Sequence, residues 1–144
     1  MDKVFLDANV LFSAAYRPNS RLTSLWSLKD TELVTSSFAL EEARRNLVIH
    51  KPDALAGLDR LSDSLTIVNG LEWRIPKGTE LAEKDVPILS AALQARCSHL
   101  ITGDVQHFGA FFGCSIQGVL ILTPAEYLKR RSSQRPTSPK SEPP

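Results

Sequence analysis

The sequence predicts an α/β fold in which a mainly parallel sheet is covered by helices. Two observations predict it. Short apolar runs of three or four residues recur from Val4 to Leu122, and longer stretches with helical period separate them. A strand that returns to the sheet through a helix pairs in parallel with its predecessor, so this alternation selects a helix-covered parallel sheet. The 144 residues suffice for one substantial core, and no internal repeat divides them.

The elements follow in order. Val4-Phe5-Leu6 opens the chain as a strand, a helix is predicted over Arg21–Leu28, and Leu33–Thr35 forms the second strand. The next helix, Phe38–His50, carries Ala39, Leu40, Ala43 and Leu47 on one stripe, with Glu41 and Arg45 opposite, four residues apart as a surface ion pair requires. A helix over Asp53–Asp63 leads to a third strand, Leu65–Val68. Residues 69–80 contain Gly70, Pro76 and Gly78 and read as a loop; Trp73, Arg74 and Lys77 there suit contact with a nucleic acid, or simply an ordinary surface loop. The predicted helix Val86–Arg96 precedes strand His99–Thr102, and strand Val119–Leu122 precedes helix Pro124–Arg131. The division is therefore a folded domain over residues 1–131 and a tail over 132–144, whose Ser, Pro, Lys and Arg bury too little apolar surface to order themselves. Such a basic tail either docks RNA or a partner, or only solvates the chain.

Composition excludes several classes. No apolar run approaches the roughly 20 residues that cross a bilayer, and the N-terminus lacks the pattern of a secretory signal, so a cytoplasmic protein is expected. Cys97 and Cys114 form neither a disulfide framework nor a Cys-x-x-Cys zinc site, and both are expected to be reduced. From Lys129 onward five Lys or Arg face Glu142 alone, giving +4, while residues 1–128 hold 12 basic and 15 acidic side chains, giving −3. A body with that balance binds a polyanion through metal ions or local basic patches rather than through its net charge.

Certain carboxylates stand out against this background. Asp7 ends the first strand and Asp104 follows the fourth, the positions where open α/β sheets bind ligands, although Asp also serves there as a turn or helix cap. Asp85 projects in line with Leu89, Ala92 and Arg96 and so starts the apolar face of its helix. A carboxylate entering the core needs a cation or several donors, because an unpaired buried charge costs several kcal/mol; an N-cap ahead of Pro87 is the alternative. Glu42 flanks its helix's apolar stripe with Asn46, where it borders a pocket or simply meets solvent.

Taken together, four segments resemble the PIN-domain family from Val4 to about Leu128: Val4-Phe5-Leu6-Asp7-Ala8-Asn9-Val10-Leu11, Glu42-Ala43-Arg44-Arg45-Asn46-Leu47, Asp85-Val86-Pro87-Ile88-Leu89-Ser90-Ala91-Ala92 and Leu100-Ile101-Thr102-Gly103-Asp104. The resemblance implies a three-layer α/β/α sandwich with about five strands. It also implies an Mg²⁺- or Mn²⁺-dependent endoribonuclease, with Asp7, Glu42, Asp85 and Asp104 as catalytic and metal-binding residues and Asn9 and Thr102 as polar support. Many relatives are VapC-type toxins, so an RNA substrate, an antitoxin protein partner and a homodimer are expected. Many also carry a further Asp shortly after the last motif, where this chain has Val105-Gln106-His107-Phe108. That departure puts a second metal in question, and it leaves His107 as a substrate contact, a contact to metal-bound water or an exposed loop residue.

Rival readings fail at particular residues. A haloacid-dehalogenase-type phosphatase needs an acidic residue where Asn9 stands, and a phosphoacceptor domain needs Lys where Thr123-Pro124 stands. A catalytically silent PIN-like module that binds RNA or protein would normally have lost carboxylates that this chain keeps. A solitary RNA-processing nuclease without an antitoxin fits the same residues.

Overall fold

The computed structural model describes residues 1–69 and 74–133. Its strands are β1 (Asp2–Leu6), β2 (Thr31–Ser36), β3 (Thr66–Val68), β4 (His99–Ile101), β5 (Ser115–Ile116) and β6 (Val119–Leu122). Its helices are α1 (Ala8–Tyr16), α2 (Ser37–His50), α3 (Leu55–Ser62), α4 (Val86–Gln94), α5 (Val105–Phe108) and α6 (Pro124–Ser133). Among the described residues one six-stranded sheet runs in the order β3-β2-β1-β4-β6-β5, parallel except for β5.

The chain therefore winds outward from β1 to β3, then returns and winds the other way through β4 and β6. Right-handed crossovers made in opposite directions put their helices on opposite faces, which yields the three-layer sandwich. β1, β2 and β4 are buried on both faces, which is why they read as unbroken apolar runs. Phe5, Leu6, Leu100, Ile101 and Ile121 are fully enclosed by α1, α2 and α4 residues such as Leu11, Leu47 and Leu89. Among the described residues no helix is long and apolar enough to cross a membrane.

The five predicted strands are the five parallel ones. The sixth, β5, turns back onto β6 through Gln117 and Gly118, whose φ values of 47° and 87° provide the left-handed bend of a two-residue hairpin. Helix α1 is an addition too: Ala8, Leu11 and Ala15 are buried at helical spacing, with Asn9 and Ser13 four residues apart on a less buried side. Arg21–Ser27 is a 3₁₀ segment rather than a full helix: Thr23 Oγ1 donates to the Ser20 carbonyl at 2.8 Å, and i−3 bonds replace i−4 bonds. Helix α4 stops at Gln94, before the predicted Arg96, which takes a left-handed φ of 57°. Helix α6 continues to Ser133, and the rest of the predicted tail, like Gly70 and Trp73, lies outside the described residues.

Helix α6 is pinned against the N-terminal ends of β1 and β2. Tyr127 is buried, its hydroxyl donates to Asp2 Oδ2 at 2.7 Å, and Arg131 Nη1 donates to Thr31 Oγ1 at 2.6 Å. Tyr127→Phe leaves Asp2 short of a donor, and is expected to cost about 1 to 2 kcal/mol in urea unfolding while leaving the acidic cluster intact.

Candidate metal centre

The reversal of winding creates a crevice between β1 and β4 at their C-terminal ends, the place where such sheets bind ligands. Register brings Leu6 level with Ile101, so the next residues, Asp7 and Thr102, face each other across the crevice. The Asp7 backbone N–H donates to the Ile101 carbonyl at 3.0 Å, which locks that register.

Asp7 is 5% exposed and performs two tasks. Its Oδ1 accepts from Ala8 N at 2.6 Å as the cap of α1, while its Oδ2 accepts from Thr102 Oγ1 at 2.7 Å and from Asn9 Nδ2 at 3.4 Å. One oxygen of this residue thus serves as a helix cap, while the other is held by Thr102 and Asn9 in the crevice. Burial pushes the Asp7 carboxyl up to about 6; the Thr102 and Ala8 hydrogen bonds oppose that rise, and the nearby charges of Glu42 and Asp85 add to it.

Thr102 is fully buried and organises the crevice. Besides donating to Asp7, its hydroxyl accepts from Asp104 N at 3.0 Å and from Asn9 Nδ2 at 3.3 Å. Asn9 Oδ1 in turn accepts from Gly103 N at 2.8 Å, stitching α1 to the loop after β4. An added Cβ at Gly103 would lie 3.4 Å from that same oxygen, in ordinary van der Waals contact.

Asp104 caps α5, with Oδ1 accepting from His107 N at 3.0 Å and Oδ2 facing His107 Nδ1 at 2.7 Å. His107 is not an exposed loop residue. It lies one turn into a helix, and i, i+3 spacing from Asp104 folds its ring back over the capping carboxylate.

Asp85 occupies the N-cap position of α4, yet its side chain makes no capping bond and is enclosed with the apolar face of Ile88, Leu89 and Ala92. Its Oδ2 is buried and has no hydrogen-bond partner among the described residues. His107 Nδ1 stands only 3.0 Å away, but a ring nitrogen has one hydrogen to give, and Asp104 takes it. Burial raises the Asp85 carboxyl; His107 counters this and Asp104 reinforces it. Glu42 arrives from α2, whose start is fixed by Ser36 Oγ accepting from Ala39 N at 3.0 Å. The helix turns Ala39, Ala43 and Leu47 into the core, leaves Glu41 and Arg45 exposed, and holds Glu42 half-buried at the flank of Asp7.

The structure thus brings together Asp7, Glu42, Asp85, Asp104, Asn9, Thr102 and His107. Arg74 and Lys77 belong instead to the segment preceding α4, tied to that helix where Arg74 N donates to Ser90 Oγ at 2.7 Å. Ser36, the cap that aims α2, is a functional position the sequence analysis did not single out; a Ser ahead of a helical stripe was the available signal. Gathered carboxylates repel one another, and an unpaired buried oxygen is costly; a divalent cation removes both penalties. The donors are hard oxygens with one imidazole, a set suited to Mg²⁺ or Mn²⁺.

Comparison with known proteins bears on the fold. Solved structures of similar fold include VapBC2 from Rickettsia felis bound to a promoter DNA fragment, with a TM-score of 0.63 at 17% identity over 84% of this chain and 98% of that one. VapC20 of Mycobacterium tuberculosis, a Sarcin-Ricin loop cleaving toxin, gives a TM-score of 0.54 at 15% identity over 74% of this chain and 94% of that one. VapBC-1 from nontypeable Haemophilus influenzae gives 0.57 at 14% identity over 85% and 98%. No curated protein matches the chain in sequence. Residues 3–106, which span β1 to Asp104 and hold all four site carboxylates, match the PIN domain, and the chain belongs to the PIN-domain family.

Proposed function

We propose that this protein is a metal-dependent endoribonuclease that hydrolyses RNA phosphodiester bonds and acts as the toxin of a toxin-antitoxin pair. The observation that carries the reading is Asp85 Oδ2, a buried carboxylate oxygen without a hydrogen-bond partner among the described residues, facing a crevice that other carboxylates share. Asp7, Asp85 and Asp104 would hold a divalent ion, and Glu42, at the open flank, would help to hold a second ion or orient the attacking water. When bound, such an ion neutralises charge on the phosphate oxygens and favours ionisation of water. Thr102 and Asn9 fix the Asp7 carboxylate, so its orientation is set before substrate arrives. The capping bonds of Asp7 and Asp104 do the same from the backbone side. Arg74, Lys77 and His107 are candidate contacts to the RNA strand.

Purified protein is expected to cut single-stranded and structured RNA with Mg²⁺ or Mn²⁺ and to lose that activity in EDTA. Asp104→Asn should cut at least about a hundredfold more slowly, on the scale of several kcal/mol for a metal's charge stabilisation. Equal cleavage in EDTA would sink the reading, and a catalytically silent binding module would cut under neither condition. A partner antitoxin should present a basic side chain to the acidic crevice and suppress cleavage on co-purification. The chain itself is proposed to be a homodimer, to be checked by light scattering.

A further inference from the structure

Asp85, Asp104 and His107 meet on the side of the crevice bounded by α4 and α5, and their three donor atoms all lie within 4.8 Å of one another. We propose that His107 Nδ1 is itself a ligand of the divalent ion, completing with Asp85 Oδ2 and Asp104 Oδ2 a set of one nitrogen and two oxygens that favours Mn²⁺ over Mg²⁺. This rests on the metal-nuclease reading and adds to it the one position where the chain departs from the acidic pattern it otherwise resembles.

Three observations carry the assignment. The first is spacing: an octahedral ion with donors at about 2.1 Å separates neighbouring donors by about 3 Å, and Nδ1 lies 2.7 Å from Asp104 Oδ2 and 3.0 Å from Asp85 Oδ2. The second is Asp85 Oδ2, on a side chain only 9% exposed, which has no hydrogen-bond partner among the described residues and only the ion-pair approach of His107. One Nδ1 hydrogen shared between two carboxylates hydrogen-bonds Asp104 and serves Asp85 by charge alone, whereas a shared cation satisfies all three. The third is fixation. The Asp104 cap sets the backbone of His107, and its neighbour Phe108 is fully buried, so the ring is held over the crevice from both sides.

To serve as a ligand the ring would carry its hydrogen on Nε2 and offer the Nδ1 lone pair: an imidazolium would release its Nδ1 proton to solvent, and a neutral Nδ1–H ring would give that proton up while Nε2 takes one from solvent. Imidazole binds first-row transition ions in preference to Mg²⁺, which keeps to carboxylates and water, so this nitrogen biases the choice of metal.

The test uses the full chain loaded with Mn²⁺ below one equivalent and read by pulsed electron paramagnetic resonance. Coupling to a directly bound imidazole ¹⁴N is expected in the wild type, should change in isotopic pattern with [¹⁵N]histidine, vanish in His107→Gln and persist in His50→Gln. His107→Gln should also weaken Mn²⁺ binding roughly tenfold or more and Mg²⁺ binding far less. Should that variant fail to fold, the labelled wild-type spectrum still decides. Bound Mn²⁺ without nitrogen coupling, or coupling that survives His107→Gln, would overturn the assignment and leave the nuclease reading standing. Wild-type protein that binds no Mn²⁺ and cuts no RNA would overturn both.

Discussion

Asp7→Asn is expected to slow RNA cleavage by about a thousandfold while making the metal-free protein more stable at pH 7.5. Both effects have one cause. The folded chain holds Asp7 at about 6 against an ordinary value of 3.8, a difference equivalent to about 3 kcal/mol. Folding therefore favours the protonated side chain. That contribution is complete below pH 3.8 and disappears as pH rises through 6, with about 1.4 kcal/mol of it lost between pH 5 and pH 7.5. Asparagine carries no such penalty, but its amide cannot accept from Thr102 and Asn9 as Oδ2 does, which returns about 1 kcal/mol or more. A net gain of about 1 to 2 kcal/mol should remain at pH 7.5 in EDTA. Urea unfolding of both proteins across pH 5 to 8 checks it: the wild type should weaken relative to Asp7→Asn as pH rises. Parallel stability profiles would mean that Asp7 is not held in the interior as described. Added Mn²⁺ should stabilise the wild type more than the variant, which keeps Asp85, Asp104 and His107 but lacks the Asp7 carboxylate.

Thr102→Val is the second large effect. Valine matches the shape of threonine but removes a hydroxyl that serves Asp7 Oδ2, Asp104 N and Asn9 Nδ2 at once. Asp7 loses the hydrogen bond that most opposes its upward shift, so its carboxyl should rise beyond about 6. Stability at neutral pH should fall by about 2 to 3 kcal/mol, the cost of leaving such groups unpaired in the interior. Metal affinity should fall about 10- to 100-fold, as when a ligand loses the group that orients it. Thr102→Ser, which keeps the hydroxyl, should recover most of both. Calorimetric Mn²⁺ titration of the three proteins separates this from a packing defect, which valine and serine would affect in the opposite order.

Much of this was legible in the sequence because the site hangs on strands buried on both faces. Val4-Phe5-Leu6 and Leu100-Ile101 announce themselves as apolar runs, and the polar residues that interrupt them, Asp7 and Thr102, fall where a parallel sheet opens its crevice. The helical projection that put Asp85 with Leu89 and Ala92 also held, since all three are buried; Arg96 fell out of line only because the helix ends before it. Helix α1 was passed over although Asn9 and Ser13 mark its less buried side, because it follows β1 with only Asp7 between them; the β5–β6 hairpin was missed because Gln-Gly is a less usual turn than Asn-Gly. The role of His107 lay beyond any local signal. Asp-Val-Gln-His announces an i, i+3 pair, but the proximity of Asp85 depends on how α4 and α5 converge across the end of the sheet. The division of each capping aspartate into one structural and one site oxygen likewise exists only in three dimensions.

On the proposed function, these carboxylates tolerate one another because a divalent cation lies between them. Anomalous diffraction from crystals soaked in millimolar Mn²⁺ tests it most directly. A peak at about 2.1 Å from carboxylate oxygens of Asp7, Asp85 and Asp104 is the expected result. A crevice without anomalous density, or manganese bound only elsewhere, would contradict it.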